Sequence, residues 1–238
     1  VGSGDVYKRQ LLDGGDDPNE VDGHGWNALH QAAREGCRLP LFHRILGMIH
    51  NVNAVNNGGR TALMEAARCG HAKIAALLLE RGANPNAVKE GDILMYACQG
   101  SHEPVLPMVK LLCDYGADAS VKNSQGGGHT ALAHILKDHM MHENHRERTG
   151  RINTDTCECV RALLRNGALL DGCYKEASAE DLLDEQERRY PGLATNRHFL
   201  AIKRLVAGLR AELPRASRVT SHRLAVPQAR TEGASIFY

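Results

Sequence analysis

The chain repeats itself with a period of 33 or 34 residues. The line GRTALMEAARCGHAKIAALLLERGANPN, Gly59 to Asn86, has its front half echoed upstream in GWNALHQAAREG, Gly25 to Gly36, at a shift of 34 from Trp26 to Arg60. Its back half is echoed in LLDGGDDPNEV, Leu11 to Val21, where Gly15, Pro18 and Asn19 answer Gly82, Pro85 and Asn86. Downstream, ILMYAC (Ile93 to Cys98) and HTALAHIL (His129 to Leu136) resume the front half, while LLCDYGAD (Leu111 to Asp118) and LLRNGALL (Leu163 to Leu170) resume the back half. A unit this short cannot bury an apolar face alone. Such units are stable only as a stack that shares one continuous core.

Each unit reads as a helix pair. Thr61 suits a helix start, because its hydroxyl accepts from backbone N–H groups one turn on. Leu63, Ala66 and Ala67 follow at helical spacing, and the alanines are small where a neighbouring helix approaches. Gly70 ends this helix in the left-handed conformation that glycine adopts with least strain. A second helix runs through Ile74, Leu77 and Leu78 to Gly82, and Asn84-Pro85-Asn86 leads out as a turn.

The pattern T-x-L-x-x-A-A, then G, then L-L-x-x-G-A-x-x-N resembles the ankyrin-repeat family over roughly residues 11 to 171. The resemblance implies an all-α solenoid of stacked helix pairs with β-hairpin-like fingers: an N-terminal half-repeat, four repeats, and then a C-terminal helical segment. It also implies a protein-interaction module that binds its partner on the concave face, where finger tips and first helices lie. The alternative is the repeat portion of a longer multidomain protein, an enzyme or a channel, whose other part lay upstream.

Composition agrees with thin helical layers: 42% hydrophobic residues but only 4% aromatic. A formal net charge of +1 favours no class of partner in bulk. There is no apolar run near 20 residues, so no membrane span is expected. Seven cysteines, an odd number, read as reduced packing residues of a cytoplasmic or nuclear protein. VGSGDVYKRQ, residues 1–10, reads as a non-native leader and is set aside.

The irregularities mark loops. From turn to helix start, Asn19 to Asn27 and Asn53 to Thr61 span 8 residues, Asn86 to Asp92 spans 6 and Ser120 to Thr130 spans 10. The fourth repeat carries an insertion at about 138–154 with His139, His142 and His145, followed by Cys157 and Cys159. His142-Glu143-Asn144-His145 is one residue short of H-E-x-x-H, so a solvated insertion is expected and no metal or other cofactor. No phosphate loop or nucleophile elbow occurs, and no enzymatic activity is expected.

After Asp171 the sequence pattern ends. One helix is expected through Leu182 and Leu183 towards Tyr190, and another over about 195–213 with Phe199, Ile202, Val206 and Leu209 as its apolar stripe. Its other face reads as basic: Arg197, Lys203, Arg204 and Arg210. This pair (172–213) either covers the last repeat or binds a partner of its own. Residues 214–238 read as a disordered tail.

Mapped position by position, the expected binding residues are His24, Trp26 and Arg34, then Asn57, Arg60 and Arg68, then Lys89 and Gln99, then His129 and Lys137. Trp26 is expected to be exposed and to serve as an anchor, or else to pack against an upstream repeat. Arg34, Arg68 and Lys137 occupy equivalent positions and are expected to line up as a cationic ladder for an acidic partner segment. Nucleic acid is an unlikely partner, since only the basic C-terminal stretch supports it.

Overall fold

The computed structural model describes residues 17–87, 93–99, 105–123, 128–139 and 154–212. Four helix pairs follow one another: α1 (Ala28–Glu35) with α2 (Leu39–Met48), α3 (Ala62–Arg68) with α4 (Ala72–Glu80), α5 (Ile93–Gln99) with α6 (Leu106–Asp114), and α7 (Ala131–His134), which continues as a π turn over Ile135–His139, with α8 (Thr154–Arg165). The first helices stack in one row, α1 on α3 on α5 on α7, and the second helices in another, α2 on α4 on α6 on α8. No sheet forms among the described residues. The fingers are closed only by isolated antiparallel bridges, Val55 with Thr61 and Asn123 with His129.

Local sequence explains these elements. Asn27, Thr61 and Thr130 cap the first helices, each accepting from the backbone N–H three residues on, at 3.1, 3.3 and 3.2 Å. Gly70 (φ 75°) and Gly82 (φ 83°) take the left-handed conformation that turns the chain out of α3 and α4. Ala32, Ala33, Ala66 and Ala67 are fully buried between the first helices, whose small side chains let the backbones approach. Phe42, Ile45, Leu78 and Leu112 fill the space between pairs, so the core runs the length of the stack.

The turns between repeats are joined by asparagines at the repeat period. Asn19 donates to Met48 O at 3.1 Å and accepts from His50 N at 2.9 Å. Asn53 does the same to Gly82 O (3.4 Å) and Asn84 N (2.8 Å), and Asn86 to Gly116 O and Asp118 N, both 2.9 Å. One side-chain amide thus satisfies a carbonyl and an N–H that a helix end leaves orphaned, and it does so in the next repeat. Ser120 stands at the following position and bonds only locally, to Asp118.

Stacking continues past Asp171, although the repeat motif does not. Residues Cys173 to Ala177 form another finger, closed by the Tyr174–Ala177 bridge and tied to its neighbour where Thr130 N donates to Cys173 O at 3.0 Å. Ser178 caps α9 (Ala179–Arg189) through a reciprocal bond with Asp181, and α9 packs on α7 and its π turn. A 3₁₀ turn (Pro191–Thr195) leads to α10 (Arg197–Glu212), which packs on α8 and buries Phe199, Ile202 and Val206. This is a fifth layer in the geometry of the first four. It escapes the motif because its helices bury Leu182 and Leu183, not paired alanines, and present acids to α10.

The basic face expected on α10 is not a free one. Lys203 pairs with Asp184 (2.8 Å) and Glu187 (2.6 Å) on α9, and Arg210 pairs with Asp171 and, at 3.6 Å, Glu180. The cysteines are all free thiols; five are buried, and burial pushes Cys159 and Cys173 up to about 12. No helix among the described residues is long and apolar enough to cross a membrane.

Candidate protein-binding face

The first helices stack in one row, and the first two fingers are joined beside it. In the first finger, Asp22 Oδ1 accepts from Trp26 N (2.9 Å) and His24 N (2.8 Å). The Trp26 amide first, then that of His24, hold the Asp22 carboxyl below the usual range despite some desolvation. In the second finger Asn56 plays this part, accepting from Gly58 N and Arg60 N at 2.9 and 3.1 Å. The two fingers are stitched together by the two residues expected to meet a partner: Asn57 N donates to His24 O (3.0 Å), and Asn57 Nδ2 to Gly23 O (3.1 Å). A Cβ on Gly25 (φ 75°) would lie 2.6 Å from Asn57 Oδ1 and 2.8 Å from its N, so only glycine permits this approach. Both side positions still lie at the surface.

Trp26 is half-buried rather than exposed. Its ring stands edge-on to His30 (5.9 Å between centroids) and carries the Arg34 guanidinium 5.2 Å from its centroid. His30 is buried beneath it, with Nε2 3.1 Å from Ala54 O and 3.2 Å from Arg60 O. Nδ1 lies 2.6 Å from Asn27 Oδ1, so both ring nitrogens face oxygen atoms. Burial depresses the His30 pKa, against the smaller opposing effect of those carbonyls.

In the second repeat the ladder is organised around an acid. Glu65 is fully buried and lies between Arg60 and Arg68. Arg68 donates to Glu65 Oε2 from Nη2 (2.9 Å) and Nε (3.2 Å), which raises its pKa further. Arg60 Nε stands 3.2 Å from Oε1, close enough for an ion pair but not aligned as a hydrogen bond. The pair of arginines therefore contributes one net positive charge, not two. Lys89 lies outside the described residues, as does the side chain of Gln99.

In the fourth repeat, Lys137 Nζ stands 3.9 Å from the centroid of Tyr174, and the His129 ring meets the same tyrosine edge-on at 4.2 Å. Arg34, Arg68 and Lys137, the three cations expected to line up, are each engaged within the stack: on Trp26, on Glu65 and on Tyr174. Sequence reasoning missed Glu65 and Tyr174. A charged residue inside the otherwise apolar run Ala62 to Ala67 was the available signal for the first, because every other member of that run is buried. Tyr174 had none, since it belongs to a finger without the motif.

Residues 2–89 match the family model for ankyrin repeats, in three copies. Residues 2–89 of this chain are ankyrin repeats. Ankyrin repeats are a general protein-interaction module, and in this chain the stacking geometry runs on through α10. Cyclin-dependent kinase inhibitor 2A of Monodelphis domestica is 31% identical to it over 113 residues. That match covers 48% of this chain and 65% of the relative.

Proposed function

We propose that this ankyrin-repeat chain binds a partner protein on the strip formed by its fingers and first helices, with Trp26 and Arg34 as the anchor and an acidic partner segment running along the cations. The observation that carries this reading is preorganisation. Arg34, Arg68 and Lys137 are held by contacts inside the stack, so binding an acidic segment costs little of their side-chain freedom. Trp26 keeps part of its ring at the surface, and a rigid, half-covered aromatic beside a cation is the usual composition of an interface hot spot.

The test compares partners captured by the wild type and by the double variant W26A/R34A, identified by mass spectrometry at two salt concentrations. Proteins held by the wild type and lost by the variant, with weaker capture at high salt, support the reading. Full retention of every partner by the variant would overturn it. The relative's name makes a cyclin-dependent kinase the first purified partner to try.

A further inference from the structure

We propose that the binding strip continues onto the fifth finger, where Lys137, Tyr174 and Lys175 form a site for an anionic group, carboxylate or phosphate, borne by the partner protein. This rests on the protein-binding reading above and names the chemistry of one end of it. Tyr174 carries Lys137 Nζ at 3.9 Å and Lys175 Nζ at 5.4 Å from its ring centroid, with His129 against its edge. Lys122 reaches the base of the same finger, its Nζ 3.1 Å from the point a Cβ on Gly172 would occupy.

Elsewhere among the described residues, clustered cations meet acids: Arg60 and Arg68 meet Glu65, Lys203 meets Asp184 and Glu187, and Arg210 meets Asp171 and Glu180. Neither Lys137 nor Lys175 forms an ion pair among the described residues; each has only the tyrosine ring. Glu176 follows in the turn and pairs with neither lysine.

A second observation points the same way. Lys175 (φ 42°) and Glu176 (φ 69°) are the non-glycine residues with positive φ among those described. They form the two-residue tip of a hairpin whose preferred occupants are Asn and Gly. The tip is held by Ala177 N to Tyr174 O (2.7 Å), Cys173 N to Ala177 O (3.0 Å) and the Thr130 tie. Such strain persists where the surroundings impose it, and it concentrates at ligand-contacting segments. It brings Lys175 to Tyr174, the ring that Lys137 also meets. Lys137 in turn sits in a π turn, a departure from α geometry that re-aims the side chain and recurs at functional positions. An oxyanion held by the two ammonium groups gains two charge-assisted bonds.

The experiment titrates the isotopically labelled full chain with inorganic phosphate and with an end-blocked tetraglutamate peptide, using tetralysine as control. Tyr174 ring signals and the Trp26 indole are followed by NMR. Saturable shifts of Tyr174 with an anionic probe, absent with tetralysine and weakened about fivefold for each lysine removed in K137A and K175A, are the expected result. A response to tetraglutamate but not phosphate assigns the site to carboxylates, and the reverse assigns it to phosphate. Absence of a saturable Tyr174 shift with either probe, or equal affinity in K137A/K175A, overturns the proposal. If Trp26 shifts while Tyr174 does not, the fifth-finger site fails and the anchor reading survives. If neither moves, both fail. A K137R/K175R variant that retains binding excludes loss of folding as the cause of the alanine result.

Discussion

Removing Arg68 beside Glu65 should cost more stability than removing Glu65 itself. The carboxylate has no exposed surface, whereas the side chains of Arg60 and Arg68 are 34% and 35% exposed. At roughly 4 Å between charge centres and an effective dielectric of about 20, one such pair is worth about 4 kcal/mol. Exposure of the guanidinium and side-chain ordering reduce this, to about 2 kcal/mol for Arg68 with its two aligned bonds and about 1 kcal/mol for the misaligned Arg60. R68A should therefore lose about 2 kcal/mol. R60A/R68A, which leaves a buried carboxylate with no counterion, should lose about 3–5 kcal/mol. E65L removes the buried charge and leaves two arginines that already reach water, so it should lie within about 1 kcal/mol of wild type. Urea unfolding with an unchanged m-value measures all three. The reasoning is refuted if R68A unfolds at the wild-type midpoint, or if E65L is less stable than R68A. The same asymmetry shows that reversing Arg68 to Glu is a poor test of partner binding, because it sets two carboxylates side by side, one of them buried. Arg34, which leans on Trp26, is the cleaner position.

Three further outcomes follow from the geometry. N86A deletes two 2.9 Å bonds between turns and should cost about 1–2 kcal/mol in urea unfolding, with N53A costing less because one of its bonds is 3.4 Å. The His30 imidazole, followed by NMR, should titrate below the ordinary 6.5. Because its folded pKa is the lower one, the unfolded chain binds more protons, so its contribution to stability is present above about pH 6.5 and is lost as pH falls through the folded value; an H30 signal titrating above 6.5 would contradict the burial argument. K175N/E176G, which installs the residues a two-residue hairpin prefers, should stabilise the fold by about 1 kcal/mol and raise Tm by about 2–4 °C in calorimetry, while removing one cation from Tyr174.

The repeat period, the capping residues at Thr61 and Thr130, the paired alanines and the left-handed glycines were all legible in the sequence. Each is a local requirement: a helix start needs an acceptor, a helix end needs positive φ, and a close helix contact needs a small side chain. Period and local chemistry together dictate a stack of helix pairs. What a side chain does on that stack was not legible, because it depends on which side chains the folded backbone brings together, within a repeat as well as between repeats. Trp26 is half-covered because Arg34 folds back over it, and His24 and Asn57 are joined because Gly25 lets two fingers touch. Arg60 and Arg68 lose much of their charge to an acid that sequence shows only as one letter in an apolar run. The basic stripe of α10 faces acids on α9, and the fifth layer stacks without the motif. Sequence determined the unit and its repetition through interactions a few residues long. Only the tertiary structure decided which charges are matched, since matching is settled by which side chains meet in space, from 3 residues apart for Arg68 and Glu65 to 39 for Arg210 and Asp171.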